Sequence, residues 1–586
     1  MQQLQQLQPL ASKRGELRVR RQLVEAMIFE GLINYEETRL DQWASIFTLI
    51  GQTYTFRCEG RRMAFDRIRI KGDHIFQVSK DETLQEATFE ELVDELLTSR
   101  QDKIRLLKEL HLTSNLCDWN DRHLQMPISR RHSSYEDLES EIMEGHPYHP
   151  CFKSRTGFTI DDHINYGPEG KQSFTLQWVA VRRSYVRIAV LEEEETFWKR
   201  ELGHLLWDDL LTELARFNGT FEDYTFLPVH PWQWRTMKQE LAELMEQRDF
   251  IALDVNGDYY RATQSVRTLW NSSHPQKAQL KCSMNMVNTS SLRKLHAHAV
   301  CAAPHISAWL KQVLQSDDYL QKTVIVLEEY AGIIFEPHAT KHSSKLEGQL
   351  GTIWRESVRL YMKEEEEAVP FTVLMMMELD GRPFIADWLC RYGTEAWIKR
   401  LIEVSVIPVW HLLVAHGIAV EAHAQNMILL HENGWPTRVV LRDFHDSIEY
   451  TEEFIADRNL IPDFGTIHDR FKDAPADHYY WMSSVEALRE LAMDTLFVFH
   501  LSELSNLLEE QYRYEEIRFW NQIKDGIQKH FERFPSFQAR NEQLQHTSTT
   551  IYVESLLKKK VQNQEEGNFR HIVNNALAQA NEKGKS

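Results

Sequence analysis

The chain has 586 residues, of which 67 are Lys or Arg and 87 are Asp or Glu, for a formal net charge of −20. This length predicts two to four domains or subdomains with substantial apolar cores. The acidic balance and the lack of a basic patch argue against nucleic acid as a partner. No run of about 18 apolar residues occurs, so we expect no membrane span.

Six cysteines are scattered along the chain without a Cys-x-x-Cys pair. This pattern favours a reduced, cytoplasmic protein and offers no structural zinc site. The opening residues, MQQLQQLQPLASKRGEL, lack the long apolar core of a signal peptide. We therefore expect a leader over residues 1–15 and a cytoplasmic location.

The first part of the chain, residues 1–145, mixes helix-like and strand-like segments and predicts a mainly helical N-terminal unit. Capping-box patterns at 88–91 (TFEE) and 133–136 (SSYE) each predict a helix start. We expect the first helix to extend to about Leu110 and the second to stop at Gly145.

Residues 145–158, GHPYHPCFKSRTGF, hold two His-Pro pairs. Proline disfavours helical geometry in the residue before it, so this segment is predicted to be an ordered loop. The loop carries His146, His149, Lys153 and Arg155, and its cations suit anionic phosphates. A rigid structural turn with surface cations explains the pattern equally well.

Two segments in the middle of the chain, 265–268 (SVRT) and 281–293 (KCSMNMVNTSSLR), combine hydroxyl groups with cations. The second alternates and predicts a strand, then a Thr-Ser-Ser turn, then a helix beginning near Leu292. A helix N-terminus with Arg267, Lys281 and Arg293 nearby would bind an anion. Ordinary helix capping with surface cations is the simpler interpretation.

Further on, GTIWRE at 351–356 predicts the start of an amphipathic helix.

The stretch 420–430, VEAHAQNMILL, carries the densest polar cluster. Its apolar end and a later apolar run flank an Asn-Gly turn, which predicts a β-hairpin. Strand pairing would bring Asn426 close to Asp443. An amide oxygen beside a carboxylate suits Mg²⁺, and protein kinases use an Asn and a later Asp in this way. A polar hairpin mouth satisfied by local hydrogen bonds is the alternative.

The chain has no Walker P-loop, no GxGxxG and no GxSxG segment. A nucleotide must therefore be held by another architecture, and no nucleophilic Ser or Cys motif is indicated. From residue 396 onward the rest of the chain is predicted to be mostly helical.

Six segments taken together resemble the IucA/IucC family, the NRPS-independent siderophore synthetases. They occur in the family's order and cover about 150–445: GHPYHPCFKSRTGF, LPVHPWQW, SVRTL, KCSMNMVNTSSLR, HGIAVEAHAQNMILL and RDFHDS. The resemblance implies an α+β fold shaped like a hand. It implies a thumb over 1–145, fingers with the ATP and carboxylate loops and a central sheet over 146–395, and a mostly helical palm over 396–586.

The resemblance also implies an activity. Such an enzyme adenylates a carboxyl of citrate or of a citryl monoamide with ATP and Mg²⁺. It then joins the acyl group to an amine, here a polyamine-type, spermidine-like amine, and releases AMP and pyrophosphate. A homodimer is implied by the family as well.

Site residues follow from the same resemblance, motif by motif. ATP and its phosphates are expected to contact His146, Lys153, Ser265, Arg267, Thr268, Lys281, Gln425 and Asn426. The citrate carboxylates and the adenylate are expected to contact Thr289, Ser290, Arg293 and His423. Mg²⁺ is expected at Glu421, Asn426 and Asp443. Of all these, Arg293, His423 and Lys281 are the expected catalytic residues. Cys282 and the pair His445-Asp446 depart from the family's pattern, and the pair directly follows the expected metal ligand Asp443 and its neighbour Phe444.

Two other functions compete with this one. The Asn426–Asp443 pair is also compatible with a kinase-like phosphotransferase acting on a small molecule, which would produce ADP. Anion-binding loops are also compatible with a non-catalytic citrate-binding or siderophore-binding protein.

Overall fold

The computed structural model describes residues 14–41, 43–79, 81–337, 343–562 and 569–579. The predicted leader, 1–15, lies largely outside these residues. Helices and strands are both abundant, as expected for an α+β fold. The α-helices of the described residues are Arg14–Phe29, Phe89–Leu96, Arg100–His123, Tyr135–Glu141, Ile160–Tyr166, Glu194–Arg216, Pro231–Met237, Ala242–Glu246, Ala297–Gln315, Leu320–Thr323, Ser343–Leu346, Ala386–Tyr392, Thr394–Leu401, Ile407–His411, Phe464–Ile467, Val485–Ala492, Ser502–Tyr512, Glu516–Arg533, Gln538–Gln543, Leu556–Gln562 and Ala576–Gln579.

The N-terminal sheet is an antiparallel meander whose strands pair in sequence order. Its strands are Asn34–Arg39, Ser45–Ile50, Thr55–Arg62, Ile68–Val78 and Leu84–Glu86. Alternating burial in Ser45–Ile50 places Phe47 and Leu49 against the helices. The same core continues into the C-terminal helices through Phe497 and Trp520, so the two ends of the chain share one apolar interior.

The central sheet is seven-stranded and antiparallel. In spatial order its strands are Phe174–Thr175, Tyr259–Ala262, Thr268–Asn271, Gln279–Cys282, Gly351–Arg355, Glu329–Phe335 and Val186–Val190. A three-stranded sheet lies beside it: Phe250–Ala252, Gln177–Arg182 and Tyr224–Val229. The two sheets and the helix Glu194–Arg216 enclose a second core, in which the buried ring of Trp198 packs edge-on against Trp354.

The hairpin sheet contains the predicted β-hairpin. In spatial order its strands are Val324–Val326, Trp435–Leu441, Met427–Glu432 and Glu367–Pro370. The pairing of Met427 with Leu441 confirms the predicted hairpin. The sheet joins strands from both sides of residue 396, so the predicted boundary there crosses a hydrogen-bonded sheet.

Three small strand pairs complete the β-structure of the described residues. They are Val287–Asn288 with Ser291–Leu292, Ile418–Val420 with Ile448–Tyr450, and Thr550–Glu554 with Arg570–Asn574.

The helical run 394–416 is widened twice into π-helix, at Ile402–Val406 and at Leu412–His416. Pro408 explains the first widening, because its ring would clash with the carbonyl four residues earlier in a regular helix. Gly417, at φ 74°, ends the run. A Cβ there would lie 2.2 Å from the carbonyl oxygen of Phe454, so glycine is required at this close approach.

Helix starts were predicted better than helix ends. The capping box at Thr88 is confirmed, since Thr88 and Glu91 each accept the other's backbone N–H. Its helix ends at Leu96, however, and a new helix starts after Ser99. The second predicted start is capped by Ser134, and that helix ends at Glu141.

The predicted amphipathic helix at 351–356 is wrong, because Gly351–Arg355 is a fully buried strand of the central sheet. Its short apolar run is hydrogen-bonded on both sides, to Gln279–Cys282 and Glu329–Phe335, and this pairing outweighs any local helical preference.

Candidate active site

The centre of the site is Asp443, which follows the hairpin strand Trp435–Leu441. The N–H of Arg442 donates to the carbonyl of Asn426 over 3.0 Å, so Asn426 and Asp443 lie at the same open end of the hairpin. Asp443 has φ 67°, a left-handed conformation that is uncommon for a residue other than glycine. Such a conformation turns the chain sharply where the strand ends.

Two cations from the central sheet converge on one oxygen of this carboxylate. Oδ1 of Asp443 accepts hydrogen bonds from Lys281 Nζ over 3.0 Å and from Arg355 over 2.6 Å. Lys281 pairs with Ile353 and Gln279 pairs with Arg355, so the two cations lie diagonally across neighbouring antiparallel strands. Burial raises the pKa of Asp443, but the charges of Arg355 and Lys281 outweigh it and hold the pKa well below its usual range.

Asp443 Oδ2 and Asn426 Oδ1 accept no hydrogen bond within the described part of the chain, whereas Asn426 Nδ2 donates to the carbonyl of Glu421 over 3.1 Å. The predicted pair therefore keeps two oxygen acceptors available. The third predicted metal ligand, Glu421, instead accepts a hydrogen bond from Ser447 and lies 3.7 Å from His423 Nε2.

Glu329 was missed by the sequence analysis. It accepts hydrogen bonds from the backbone N–H groups of Phe444 and His445 over 3.1 and 3.0 Å. Its other oxygen lies 3.0 Å from His445 Nδ1. Ligand atoms of Glu329, Asp443 and His445 lie within 4.8 Å of one another. The sequence did contain a signal for Glu329: it lies in the apolar run VIVLEEYAGIIF, which predicts burial. A buried carboxylate requires a hydrogen-bonding or charged partner.

Burial lowers the pKa of His445, but Glu329 and Asp446 outweigh burial and raise the pKa to about 9. The imidazole is therefore protonated at neutral pH and counts among the cations of the site. Arg355 was also missed, because its segment was interpreted as a helix.

Arg267 and Arg293 face the same space. The Arg267 guanidinium donates to the carbonyl of Lys294 over 2.6 Å, and that of Arg293 to the carbonyl of Asn288 over 2.8 Å. Burial and the nearby charge of Arg267 lower the pKa of Arg293 to about 9, although Asp443 and Glu421 oppose this. Within the described part of the chain, both guanidiniums bond to neutral carbonyls and to no carboxylate, so they leave positive charge that an anion can neutralise.

The hydroxyl residues of the two central segments adopt turns. Val266 has φ 66°, and the hydroxyls of Ser265 and Thr268 lie 3.0 Å apart. Thr289, at φ 62°, and Ser290 form the tip of a tight hairpin.

The predicted helix near Leu292, with an anion site at its N-terminus, is therefore wrong. Backbone pairing of Asn288 with Ser291 replaces it, and the helix begins at Ala297.

The first His-Pro turn places His146 near His423. Nδ1 of His146 accepts the N–H groups of Tyr148 and His149, each over 3.1 Å. Burial lowers the pKa of His146 to about 3, and the nearby His423 adds to the effect. Nδ1 of His423 likewise accepts the N–H of Gln425 over 3.1 Å. In their neutral forms both rings therefore carry the proton on Nε2 and can donate it to a ligand.

Lys153 is placed differently from its predicted role. Its ammonium bonds to the buried carboxylate of Glu169, which also accepts from Arg155 over 2.7 Å. The Lys153 charge is thus neutralised within the protein in this structure. A cavity of about 720 Å³ is lined by Arg18, Phe152 and Met376, beside Gly145 and Pro147 of the first His-Pro turn. We place the chemistry at the Asp443 cluster because the charged groups converge there.

Comparisons with known proteins identify the family. The IucA / IucC family profile matches residues 134–376. A ligase of Bacillus anthracis, citryl-spermidine/3,4-dihydroxybenzoyl-citryl-spermidine:spermidine ligase, is 35% identical over 560 residues, covering 93% of this chain and 90% of the relative. This chain belongs to the IucA/IucC family. A second profile, described as a ferric iron reductase FhuF-like transporter, matches residues 395–569.

Two further similarities span nearly the whole chain of this family member. A Staphylococcus aureus 2-[(L-alanin-3-ylcarbamoyl)methyl]-3-(2-aminoethylcarbamoyl)-2-hydroxypropanoate synthase is 30% identical, covering 96% of this chain and 92% of the relative. The crystal structure of petrobactin biosynthesis protein AsbB from B. anthracis str. Sterne superposes with a TM-score of 0.90 at 33% identity, covering 98% of each chain. Among the described helices, none is both long enough and apolar enough to cross a membrane.

We predict that Asp443→Asn lowers the free energy of unfolding by about 3–5 kcal/mol, because it leaves two buried cations without a counter-charge. Asp387→Asn is the matched control: Asp387 pairs with Arg382 over 2.6 Å, and both side chains are 52% exposed. The control substitution is expected to lower the free energy of unfolding by at most about 1 kcal/mol. Thermal midpoints compare the two variants, and equal midpoints would contradict the claim that the Asp443 cluster joins the two sheets.

His445 generates a pH prediction. Its folded-state pKa of about 9 lies above the unfolded value of about 6.5. Its contribution to stability is therefore complete below about pH 6.5 and is lost as the pH rises through about 9. We expect the thermal midpoint of His445→Gln to fall less between pH 6.5 and 9.5 than that of the wild type. His204→Gln, an exposed substitution, should follow the wild type. Parallel curves for all three proteins would refute the assignment.

Proposed function

We propose that this chain is an ATP-dependent, adenylate-forming amide synthetase of siderophore biosynthesis. It activates a carboxyl of citrate or of a citryl monoamide and transfers the acyl group to a polyamine-type amine. One observation supports this proposal. Four cations of the central sheet and its adjoining loops converge on the hairpin end at Asp443: Arg267, Lys281, Arg293 and Arg355.

The reaction requires this concentration of charge. A carboxylate oxygen attacks the α-phosphorus of ATP, the bond to pyrophosphate breaks, and an acyl-adenylate forms. Two anions must approach each other, and fixed cations reduce their repulsion. Arg293 suits the carboxylate, because a guanidinium can donate two parallel hydrogen bonds to it. Among the described residues, no carboxylate lies within bonding distance of Arg293.

In the second step the amine nitrogen attacks the acyl carbonyl, and AMP leaves. The amine must lose a proton. His423 is a poor acceptor in its present tautomer, because Nδ1 already accepts the N–H of Gln425 and Nε2 carries the ring proton. We therefore assign His423, together with His146, to donating hydrogen bonds to the anionic substrates.

Mg²⁺ is proposed to bind at this cluster. Asp443 Oδ2 and Asn426 Oδ1 are both available, and oxygen donors are the ligands that Mg²⁺ prefers. When bound, the ion would neutralise charge on the ATP phosphates. Glu329 fits less well as a ligand, because three hydrogen bonds to the 444–445 segment already occupy its carboxylate.

The substrate assignment rests on names of relatives. The B. anthracis relative is named for citryl-spermidine and spermidine, and the S. aureus relative for a citrate-like diamide. By this similarity we propose a citryl monoamide and a spermidine-like amine here. The thumb, fingers and palm division, the cytoplasmic location and the homodimer extend the same proposal.

The activity is tested by incubating carboxylic acids with the protein, ATP, Mg²⁺ and hydroxylamine. The best acid is then incubated with a panel of amines in place of hydroxylamine. We expect a hydroxamate, with AMP and pyrophosphate in equal amounts. ADP and phosphate would contradict adenylation. ADP with a phosphorylated product would indicate instead a phosphotransferase, which the Asn426–Asp443 pair also fits. Tight citrate binding without any turnover would indicate a binding protein.

Arg293→Ala is predicted to lower the rate of hydroxamate formation at least about tenfold, the scale of one lost charge-assisted hydrogen bond. Arg216→Ala is the matched control, because Arg216 is an exposed helical arginine paired with Glu213. It should keep the wild-type rate. An unchanged rate in Arg293→Ala would remove Arg293 from the site.

A further inference from the structure

A second group of metal-ligating side chains lies apart from the Asp443 cluster. Nε2 of His411 and Nε2 of His416 each lie 3.0 Å from Oδ2 of Asp317. All three ligand atoms lie within 4.8 Å of one another. A tetrahedral ion with ligand bonds of about 2.0–2.1 Å requires ligand atoms about 3.3 Å apart. The two carboxylate–imidazole distances are therefore close to this value, and the two imidazole nitrogens lie within 4.8 Å of each other.

The fold holds each ligand in this position. His411 and His416 are five residues apart, and the π-helical turn Leu412–His416 between them brings them to one side of the helix. Asp317 follows the helix Ala297–Gln315. Its Oδ1 accepts the backbone N–H groups of Tyr319 and Leu320 over 2.8 and 2.9 Å. That capping arrangement fixes the carboxylate and directs Oδ2 towards the histidines.

His530, from the helix Glu516–Arg533, supports the group. Its Nε2 lies 2.8 Å from Nδ1 of His411, and the Tyr319 ring packs against both imidazoles. A metal-ligating histidine in proteins is usually oriented in this way, by a hydrogen bond at its other ring nitrogen.

We propose that Asp317, His411 and His416 form a binding site for a first-row divalent transition-metal ion of the Zn²⁺ or Fe²⁺ class. Two imidazoles and one carboxylate favour such ions over Mg²⁺, which prefers oxygen ligands alone. Solvent completes the coordination. The Asp317 and His416 side chains keep 12% and 17% of their surface exposed, and they give the ion its entry path.

Metal binding requires only a change of tautomer in the rings. Without the ion, the imidazole Nε2–H groups can donate to Asp317. With the ion, Nε2 of His411 becomes a ligand, and Nδ1–H donates to His530 Nε2. No net proton is gained or lost by a neutral ring that moves its proton from one nitrogen to the other.

The ion would connect two separate segments of the chain, Asp317 after one helix and the helical run that holds His411 and His416. His416 immediately precedes Gly417 and the strand Ile418–Val420, which leads to Glu421 in the candidate active site. A metal at Asp317 would therefore fix the start of the strand that positions Glu421 and His423, while remaining outside the reacting groups. This site is independent of the proposed ligase activity.

Tag-free, full-length protein treated with a chelator and then dialysed against Zn²⁺ tests the site. We expect wild-type protein to retain one equivalent more zinc than His416→Gln. The zinc affinity of the variant should be at least about a hundredfold lower than that of the wild type. His530→Asn should weaken binding about tenfold to a hundredfold. His204→Gln, an exposed histidine, controls for adventitious surface binding and should retain zinc as the wild type does.

Equal zinc content in wild type and His416→Gln would overturn the proposal and leave a hydrogen-bonded Asp–His chain. A second measurement guards against misfolding of the variants. Wild-type protein loaded with Co²⁺ should show the visible absorption bands of a low-coordinate, imidazole-ligated ion, and Zn²⁺ should remove them. Wild-type protein without such bands would overturn the proposal as well.

Discussion

The carboxylate of Asp443, shared between Lys281 and Arg355, is the interaction on which the site depends. It connects the end of the hairpin sheet to two neighbouring strands of the central sheet. A buried ion pair of this kind contributes little net stability, because desolvation offsets most of the attraction. Its effect is positional: it places Asn426 and Asp443 opposite Arg267 and Arg293. The left-handed backbone of Asp443 adds a cost of order 1 kcal/mol or more, which the surrounding contacts must offset.

Neutral imidazoles have a structural role around this charged centre. His146, His149 and His230 precede prolines or lie in the His-Pro turns, and each accepts a backbone N–H through Nδ1. Burial lowers the pKa of each ring, which keeps it neutral and able to accept. The first His-Pro turn can therefore be both a rigid structural turn and a part of the ligand-binding site. The same hydrogen bond that stabilises the turn leaves Nε2–H of His146 available to a substrate.

Local patterns predicted the hairpin and the helix starts, because turn residues and capping boxes act over a few residues. The Asn-Gly turn and the flanking apolar runs determined the register that places Asn426 beside Asp443.

Arg355 and Glu329 could not be found from turn and capping patterns. Their roles come from cross-strand pairing between segments far apart in the chain, and GTIWRE alone does not distinguish a buried strand from a helix. The helix near Leu292 failed for a related reason, because a two-residue hairpin turn uses the same small polar residues as a helix cap. Glu169 likewise neutralises Lys153 through a contact that the loop sequence does not reveal.

Oxygen transfer tests the central claim, that this charged cluster brings a carboxylate to the α-phosphate of ATP. Citrate labelled with ¹⁸O in its carboxyl groups, or the corresponding labelled monoamide, is incubated with ATP, Mg²⁺ and the amine, and the products are analysed by mass spectrometry. Adenylation joins a carboxyl oxygen to the α-phosphorus, and the amine's attack then breaks the acyl–oxygen bond. One ¹⁸O should therefore appear in AMP and none in pyrophosphate. Label in inorganic phosphate, with ADP as the nucleotide product, would contradict the account.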